Sequence, residues 1–359
     1  MFVLDSHCDT PSQIKRLRDL SIDNDHSHVD FPKLKKGGVD GAFFALYTPA
    51  SVTGDSAYHH ANELLGLVRS TVSRCNDIAS LAMSPCEALA NKDKGLFSVC
   101  IGMENGSPLG ESLQRADEFH KAGVRYLTLC HSRDNLICDS CAQGSTWHGL
   151  SPFGRDLVRH MNRLGMIVDV SHASDETFYD VIRHSKAPVA ATHSCCRALA
   201  SHQRNMTDDM LKVLAAEGGV VQINFYPVFL DDSFAVRLDE SGLLEKEYIE
   251  DRFIEDPADP LRREEWYALL DELAALRRPS FRRIADHIDH AVEVAGIDHV
   301  GLGSDFDGIG VTPDGMDDVS CFPVILDELR DRGYKESDVA KIAGGNFLRV
   351  WSDVQSSVF

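Results

Sequence analysis

A chain of 359 residues with 43% hydrophobic content is long enough to bury a sizeable core, as one large α/β barrel or as two ordinary domains, without disulfide or metal staples. Its formal charge of -20 repels polyanions, which excludes nucleic acid as an expected partner and favours a small-molecule substrate. Met1 to Asp5 carries no basic n-region and no apolar run approaches a membrane span, so a cytoplasmic protein without membrane attachment is expected.

In chain order, β-like runs fall near residues 2–7, 41–47, 97–103, 125–130, 166–171, 188–192, 219–224 and 298–303. Helix-like periodicity occupies 58–83, 109–122, 152–164, 174–184, 207–217 and 281–295. Several of these segments start on a capping side chain, as at Ser174 and at Thr207-Asp208-Asp209. This alternation predicts a parallel sheet closed into a TIM-type (β/α)8 barrel, a single catalytic domain over residues 1–359. The stretch 230–280 departs from it. Rich in Asp, Glu and Arg, with Trp266, Leu269, Leu270, Leu273 and Leu276 at helical spacing, it is expected to form a helical insertion after the seventh strand, either closing over the site or projecting into solvent.

Four apolar runs stop on residues able to bind metal or move protons. Phe2 to Leu4 leads into His7-Cys8-Asp9, Val99 to Met103 into Glu104, Met166 to Val170 into His172, and Val189 to Ala191 into His193. Asp305 follows the eighth strand. Parallel barrel strands aim their tips at one place while their bodies stay packed. Imidazole nitrogen and carboxylate oxygen suit Zn2+ and similar ions, and two ions about 3.5 Å apart need a bridging ligand, which a carboxylate can be. His7 and Asp9, two apart on an extended segment, face one side and can chelate one ion. Glu104 can lie between two ions, with His172 and His193 on the second. The pattern predicts a two-metal hydrolase.

Taken singly, each of these residues is better explained as a hydrogen-bonded structural group. Most of the 16 histidines, among them His59, His60, His184 and His290, sit in helix-like stretches and are read that way. Recurrence at the same end of five expected strands singles out the named set. The ten cysteines are read as reduced thiols; neither the lone Cys138-Asp139-Ser140-Cys141 nor the adjacent Cys195 and Cys196 is given a redox or structural-zinc role.

These residues belong to a longer series of stretches: DSHCDT, HSHVDFPKLKKGGVDGAFFALYTP, IGMENG, YLTLCHS, HGLSPFGRDLVRHMNRLGMIVDVSHAS, APVAATHS, RNMTDD, GLGSDFDG and GGNFLRV, running from Asp5 to Val350. With them the chain resembles the membrane dipeptidase, or renal dipeptidase, family of zinc peptidases on an amidohydrolase-type barrel. The resemblance implies two Zn2+ per chain, one on His7 and Asp9, the other on His172 and His193, with Glu104 bridging. It assigns Asp305 to the first metal or to the proton transfer beside it, His131 to the substrate carbonyl, and Arg204 to the substrate's terminal carboxylate. The implied reaction is hydrolysis of dipeptides, including those with a C-terminal D-residue, by a metal-bridging hydroxide. A homodimer is implied as well. Asn105 follows Glu104 where relatives often have Gly, and no signal peptide or C-terminal anchor like those of the animal secreted forms is recognised.

Without the resemblance, Arg204 could equally form a salt bridge to Asp208 or Asp209, and His131 could equally be a core histidine bonded to backbone. Tyr226, just past the seventh strand, is a pocket-lining candidate in a position where an aromatic more often packs. Asp307 either orients a ligand or caps a turn. Two other functions stay open: a binuclear barrel hydrolase acting on a cyclic amide, lactone or phosphoester, and a non-catalytic relative that binds a ligand. Against the first, the fourth strand, 126–131, lacks the lysine that usually bridges such metals. Against the second, a binding module has no need of the proton shuttle that Asp305 and His131 offer.

Overall fold

The computed structural model describes residues 1–142, 144–246 and 248–357. Its parallel strands are β1 (Leu4–Cys8), β2 (Gly41–Tyr47), β3 (Ala79–Leu81), β4 (Phe97–Glu104), β5 (Val124–Thr128), β6 (Ile167–Asp169), β7 (Ala190–Ser194), β8 (Val220–Ile223) and β9 (Val300–Leu302). Eight of them run β1-β2-β4-β5-β6-β7-β8-β9 around a nearly closed barrel. The seam between β9 and β1 closes just above the strands, where Cys8 bridges to Phe306, Asp305 N donates to His7 O (3.0 Å) and Asp9 N donates to Phe306 O (2.8 Å).

All eight expected strands are present, and β3 is an addition. It lies inside the span 58–83 read as one helix; the helix is Gly54–Arg74 and ends before Cys75-Asn76-Asp77, where short polar side chains compete with the helical backbone. β3 then pairs with Phe97 to Val99 of β4, and β5 takes over that edge from Ile101. The other expected helices form, two of them on the anticipated caps: Ser174 Oγ accepts from Thr177 N (3.1 Å) and Thr207 Oγ1 from Met210 N (3.2 Å).

Strand register stacks the interior in layers. Phe43 aligns with Cys100; above them lie Ala45, Gly102, Tyr126 and Ile167; uppermost are Tyr47, Glu104, Thr128 and Asp169. The lower layers are mostly apolar and join Phe347, Val350, Trp351 and Val354 of the helix Asn346–Ser356, which plugs that end. Gly102 is required in the middle layer, because a methyl there would meet the Tyr126 ring at 2.1 Å. Its absence lets Tyr126 fill the centre and lift a hydroxyl toward the mouth. One end is therefore packed shut, and the polar layer opens at the other.

The insertion is helical as expected, with helices Pro227–Leu230, Asp232–Ser241, Tyr248–Glu255 and Pro260–Ala274. Trp266 and Leu269 bury against Phe253, giving it a small core of its own. It docks on the barrel. Glu250 pairs with Arg16 (2.8 Å), and the Arg16 guanidinium lies 5.8 Å from the Phe253 ring centre. Arg16 caps the helix Thr10–Lys15, which starts directly after Asp9. All ten cysteines are free thiols. Among the described residues no helix is long and apolar enough to cross a membrane.

Candidate active site

The strand tips deliver their side chains through abrupt backbone turns. Asn105, His172 and Asp305, each just past a strand, have φ of 71°, 68° and 64°, a left-handed conformation in which Asn, Asp and His are enriched among non-glycine residues. This accounts for Asn105 where a glycine was the family expectation. Its amide also ties the loop together, donating to Thr48 O (2.9 Å) and accepting from Ser107 N (3.1 Å).

Six expected residues converge around a seventh, Glu104. Its Oε1 lies 3.0 Å from His172 Nε2, 3.4 Å from His193 Nε2 and 3.9 Å from His131 Nε2; its Oε2 lies 3.5 Å from His7 Nε2. His7 Nε2 is also 3.4 Å from Asp9 Oδ2 and 4.0 Å from Asp305 Oδ1. Among the described residues these atoms form three overlapping clusters with metal-ligand chemistry: His7, Asp9 and Asp305; His7, Glu104 and His193; Glu104, His131 and His172. Ligands about 2.0–2.1 Å from a tetrahedral zinc lie about 3.4 Å apart, so most of these spacings already suit an ion between them. His7 Nε2 and Asp9 Oδ1 are buried without a hydrogen-bond partner, a costly arrangement that a cation resolves. The donor set therefore fits a metal.

Electrostatics point the same way. Burial pushes the Asp9 and Asp305 carboxyls up to about 6, with Glu104 adding to the rise at Asp9. Burial also holds His172 and His193 well below the usual imidazole range, and His131 down at about 3, with Arg204 adding to each. His7 goes the other way: burial opposes its charge, but Glu104 and Asp9 outweigh it. Three imidazoles are thus neutral, as metal ligands and neutral hydrogen-bond donors must be, while buried acids crowd the His7 side.

Arg204 does not bind Asp208 or Asp209. Asp208 accepts from His290 Nε2 (2.7 Å) and Asp209 from the Tyr179 hydroxyl (2.5 Å). Arg204 instead donates from Nη1 to Ser194 Oγ (3.1 Å) and from Nη2 to His193 O (3.0 Å), with its guanidinium 5.4 Å from the Phe229 ring. Only 7% exposed, it has no ion-pair partner among the described residues. A buried, unpaired guanidinium is a site for an anion. Tyr226 packs edge-on against Phe229 at 5.0 Å, one ring removed from Arg204. Asp307 braces the mouth: it accepts from Thr10 Oγ1 (2.9 Å) and His28 N (3.0 Å). His290 stands in its helix as a structural residue.

Sequence reasoning missed the groups behind the site. The Tyr126 hydroxyl meets His7 Nδ1 (2.8 Å), Thr192 Oγ1 meets His193 Nδ1 (2.8 Å), and Asn224 Nδ2 donates to Asp305 Oδ2 (2.9 Å). Tyr47 packs edge-on against His131 at 4.9 Å. Asp169 alone carried a signal, a charge in the otherwise apolar run Met166 to Val170.

A parallel barrel with imidazoles and carboxylates gathered at its strand tips is the arrangement of a metal-dependent hydrolase. More narrowly, the chain belongs to the membrane dipeptidase family (peptidase family M19), whose model matches residues 1–358. It is 32% identical over 358 residues to Dipeptidase verJ of Clonostachys rogersoniana, covering 96% of this chain and 80% of the relative. The probable dipeptidase PvdM of Pseudomonas aeruginosa is similar in structure, with a TM-score of 0.84, 28% identity and coverage of 99% of this chain and 96% of that one. So is a metallopeptidase of Rhodobacter sphaeroides, solved with a phosphinate mimic of the dipeptide L-Ala-D-Ala, at a TM-score of 0.81, 25% identity and 99% coverage of both chains. The family is one of dipeptidases, hydrolases of the metallopeptidase type.

Proposed function

We propose that this chain is a binuclear zinc dipeptidase that accepts a D-residue at the carboxyl end. The observation that carries the proposal is Glu104, one oxygen facing His172 and His193 and the other facing His7, the posture of a carboxylate shared by two ions. In this reading His7, Asp9 and Asp305 would hold one ion and His172 and His193 the other. When bound, the ions supply an acidified water as nucleophile and polarise the scissile carbonyl.

The remaining work falls to the chain. Asp305, oriented by Asn224, takes the proton from the attacking water and passes it to the leaving amine, so one carboxyl serves as base and then acid. His131 is neutral and sits at the open edge of the cluster, where it donates to the oxygen that gains charge. Arg204 receives the substrate carboxylate with its planar fork, and Tyr226 lines that end behind Phe229. A longer peptide would put a neutral amide where the buried guanidinium requires an anion, which restricts the enzyme to dipeptides. The acceptance of a D-residue draws on the L-Ala-D-Ala mimic held by the similar Rhodobacter protein.

A single catalytic domain, residence in the cytosol and a homodimer complete the proposal; sedimentation tests the last. The deciding experiment is metal analysis combined with a panel of L,L- and L,D-dipeptides and their amides. Two zinc ions with turnover only of free-carboxylate dipeptides supports the proposal. Bound zinc without hydrolysis favours a ligand-binding protein.

A further inference from the structure

Behind His193 runs a polar chain that the proposed reaction does not use. Asp169 closes β6, fully buried in the uppermost barrel layer, and four donors surround its carboxylate. Ser171 N (3.0 Å) and Thr192 N (2.9 Å) donate to Oδ1, while Thr128 Oγ1 (2.5 Å) and Thr192 Oγ1 (2.7 Å) donate to Oδ2. The Thr192 oxygen is also 2.8 Å from His193 Nδ1.

A threonine hydroxyl has one proton. With that proton directed to Asp169, Oγ1 faces the imidazole only as an acceptor, so Nδ1 carries the ring hydrogen and Nε2 keeps its lone pair. Nε2 is the atom that faces Glu104 Oε1 at 3.4 Å and His172 Nε2 at 3.0 Å. The reverse polarity would place a hydrogen on Nε2, directed into the metal site. We propose that Asp169, acting through Thr192, is a positioning residue that fixes the tautomer and ring plane of His193 and thereby sets how tightly the His172/His193 side holds its ion. The proposal rests on His193 being a metal ligand, and it extends that reading to residues outside the ligand set. His7 is held differently, by the Tyr126 hydroxyl, so only one of two ions should respond.

The test titrates full-length apoprotein with Zn2+ against a chromophoric chelator, alongside 15N spectra of the histidine rings. The decisive variant is Asp169→Asn, whose amide can donate to Thr192 Oγ1 and turn the threonine proton toward Nδ1. It should weaken one of the two zinc ions by about ten- to a hundredfold and leave the other unchanged. Thr192→Val, which removes the acceptor without changing shape, should act in the same direction if the Asn variant fails to fold, and Thr192→Ser should restore wild-type affinity. Wild-type His193 should show a protonated Nδ1. Folded Asn or Val variants that bind both ions as tightly as wild type overturn the proposal, as does a wild-type His193 with a bare Nδ1. Wild-type protein that binds no zinc brings down the metal reading as well. Two ions on wild type and variants alike bring down this inference alone.

Discussion

Gly308 stands against the two acids on the His7 side, and its missing side chain sets their position. A Cβ there would lie 2.2 Å from Asp9 Oδ2 and 2.7 Å from Asp305 Oδ1, against an ordinary contact of 3.4 Å or more. In Gly308→Ala the Asp9 oxygen must therefore retreat by about 1.2 Å (3.4 − 2.2) and that of Asp305 by about 0.7 Å (3.4 − 2.7). Metal–ligand distances tolerate only about 0.2 Å. Overpacking by one methyl costs on the order of 1–3 kcal/mol, which leaves most domains folded, whereas a 1 Å misplacement of a positioned group costs about a hundredfold in rate. The expected variant is folded, short of one zinc and slowed by about two orders of magnitude in kcat/KM. Circular dichroism, metal analysis and dipeptide hydrolysis measure the three quantities. A variant with its full metal complement and wild-type turnover would refute the reasoning that Gly308 sets the acids' geometry.

Asp305→Asn should lower kcat by about 10²–10⁴-fold with little change in substrate binding, because an amide cannot carry the proton; steady-state kinetics with metal content measured alongside decides, and full activity would remove Asp305 from the proton path. Arg204→Lys should raise KM for free-carboxylate dipeptides by about tenfold or more, since the ammonium cannot reproduce the two parallel hydrogen bonds. Unchanged kinetics would place the carboxylate elsewhere. Exhaustive chelation should lower the thermal midpoint, and zinc at about 100 times its Kd should return about 2.7 kcal/mol. Calorimetry that shows the same midpoint with and without metal would argue against ions in this buried cluster.

Much of the architecture was legible because a parallel barrel strand writes itself as an apolar run, and all eight barrel strands fell within two residues of the expected bounds on that signal alone; the runs at 166–171 and 298–303 shortened to Ile167–Asp169 and Val300–Leu302. The ligand candidates were legible for a related reason: a charged or imidazole residue at the end of such a run stands out against its neighbours. β3 escaped because Ala79–Leu81 is too short to show a period and follows a long amphipathic helix. Tyr126, Thr192 and Asn224 escaped because their roles depend on partners across the barrel, and register between distant strands is not a local property of sequence. Arg204 was undecided for the opposite reason: two acids four and five positions on offered a local explanation, which the fold discards by giving each another partner.

The seam between the first and last strands has a temporal consequence. His7 and Asp9 stand on one lip of that seam and Asp305 on the other, joined through the contacts around Cys8 and Phe306. An ion held by all three, as proposed, would act as a clasp across the cylinder. It could not fasten until the last strand had docked beside the first, so loading would follow closure of the barrel, and stripping the ion should let amide hydrogens in β1 and β9 exchange before those elsewhere in the sheet.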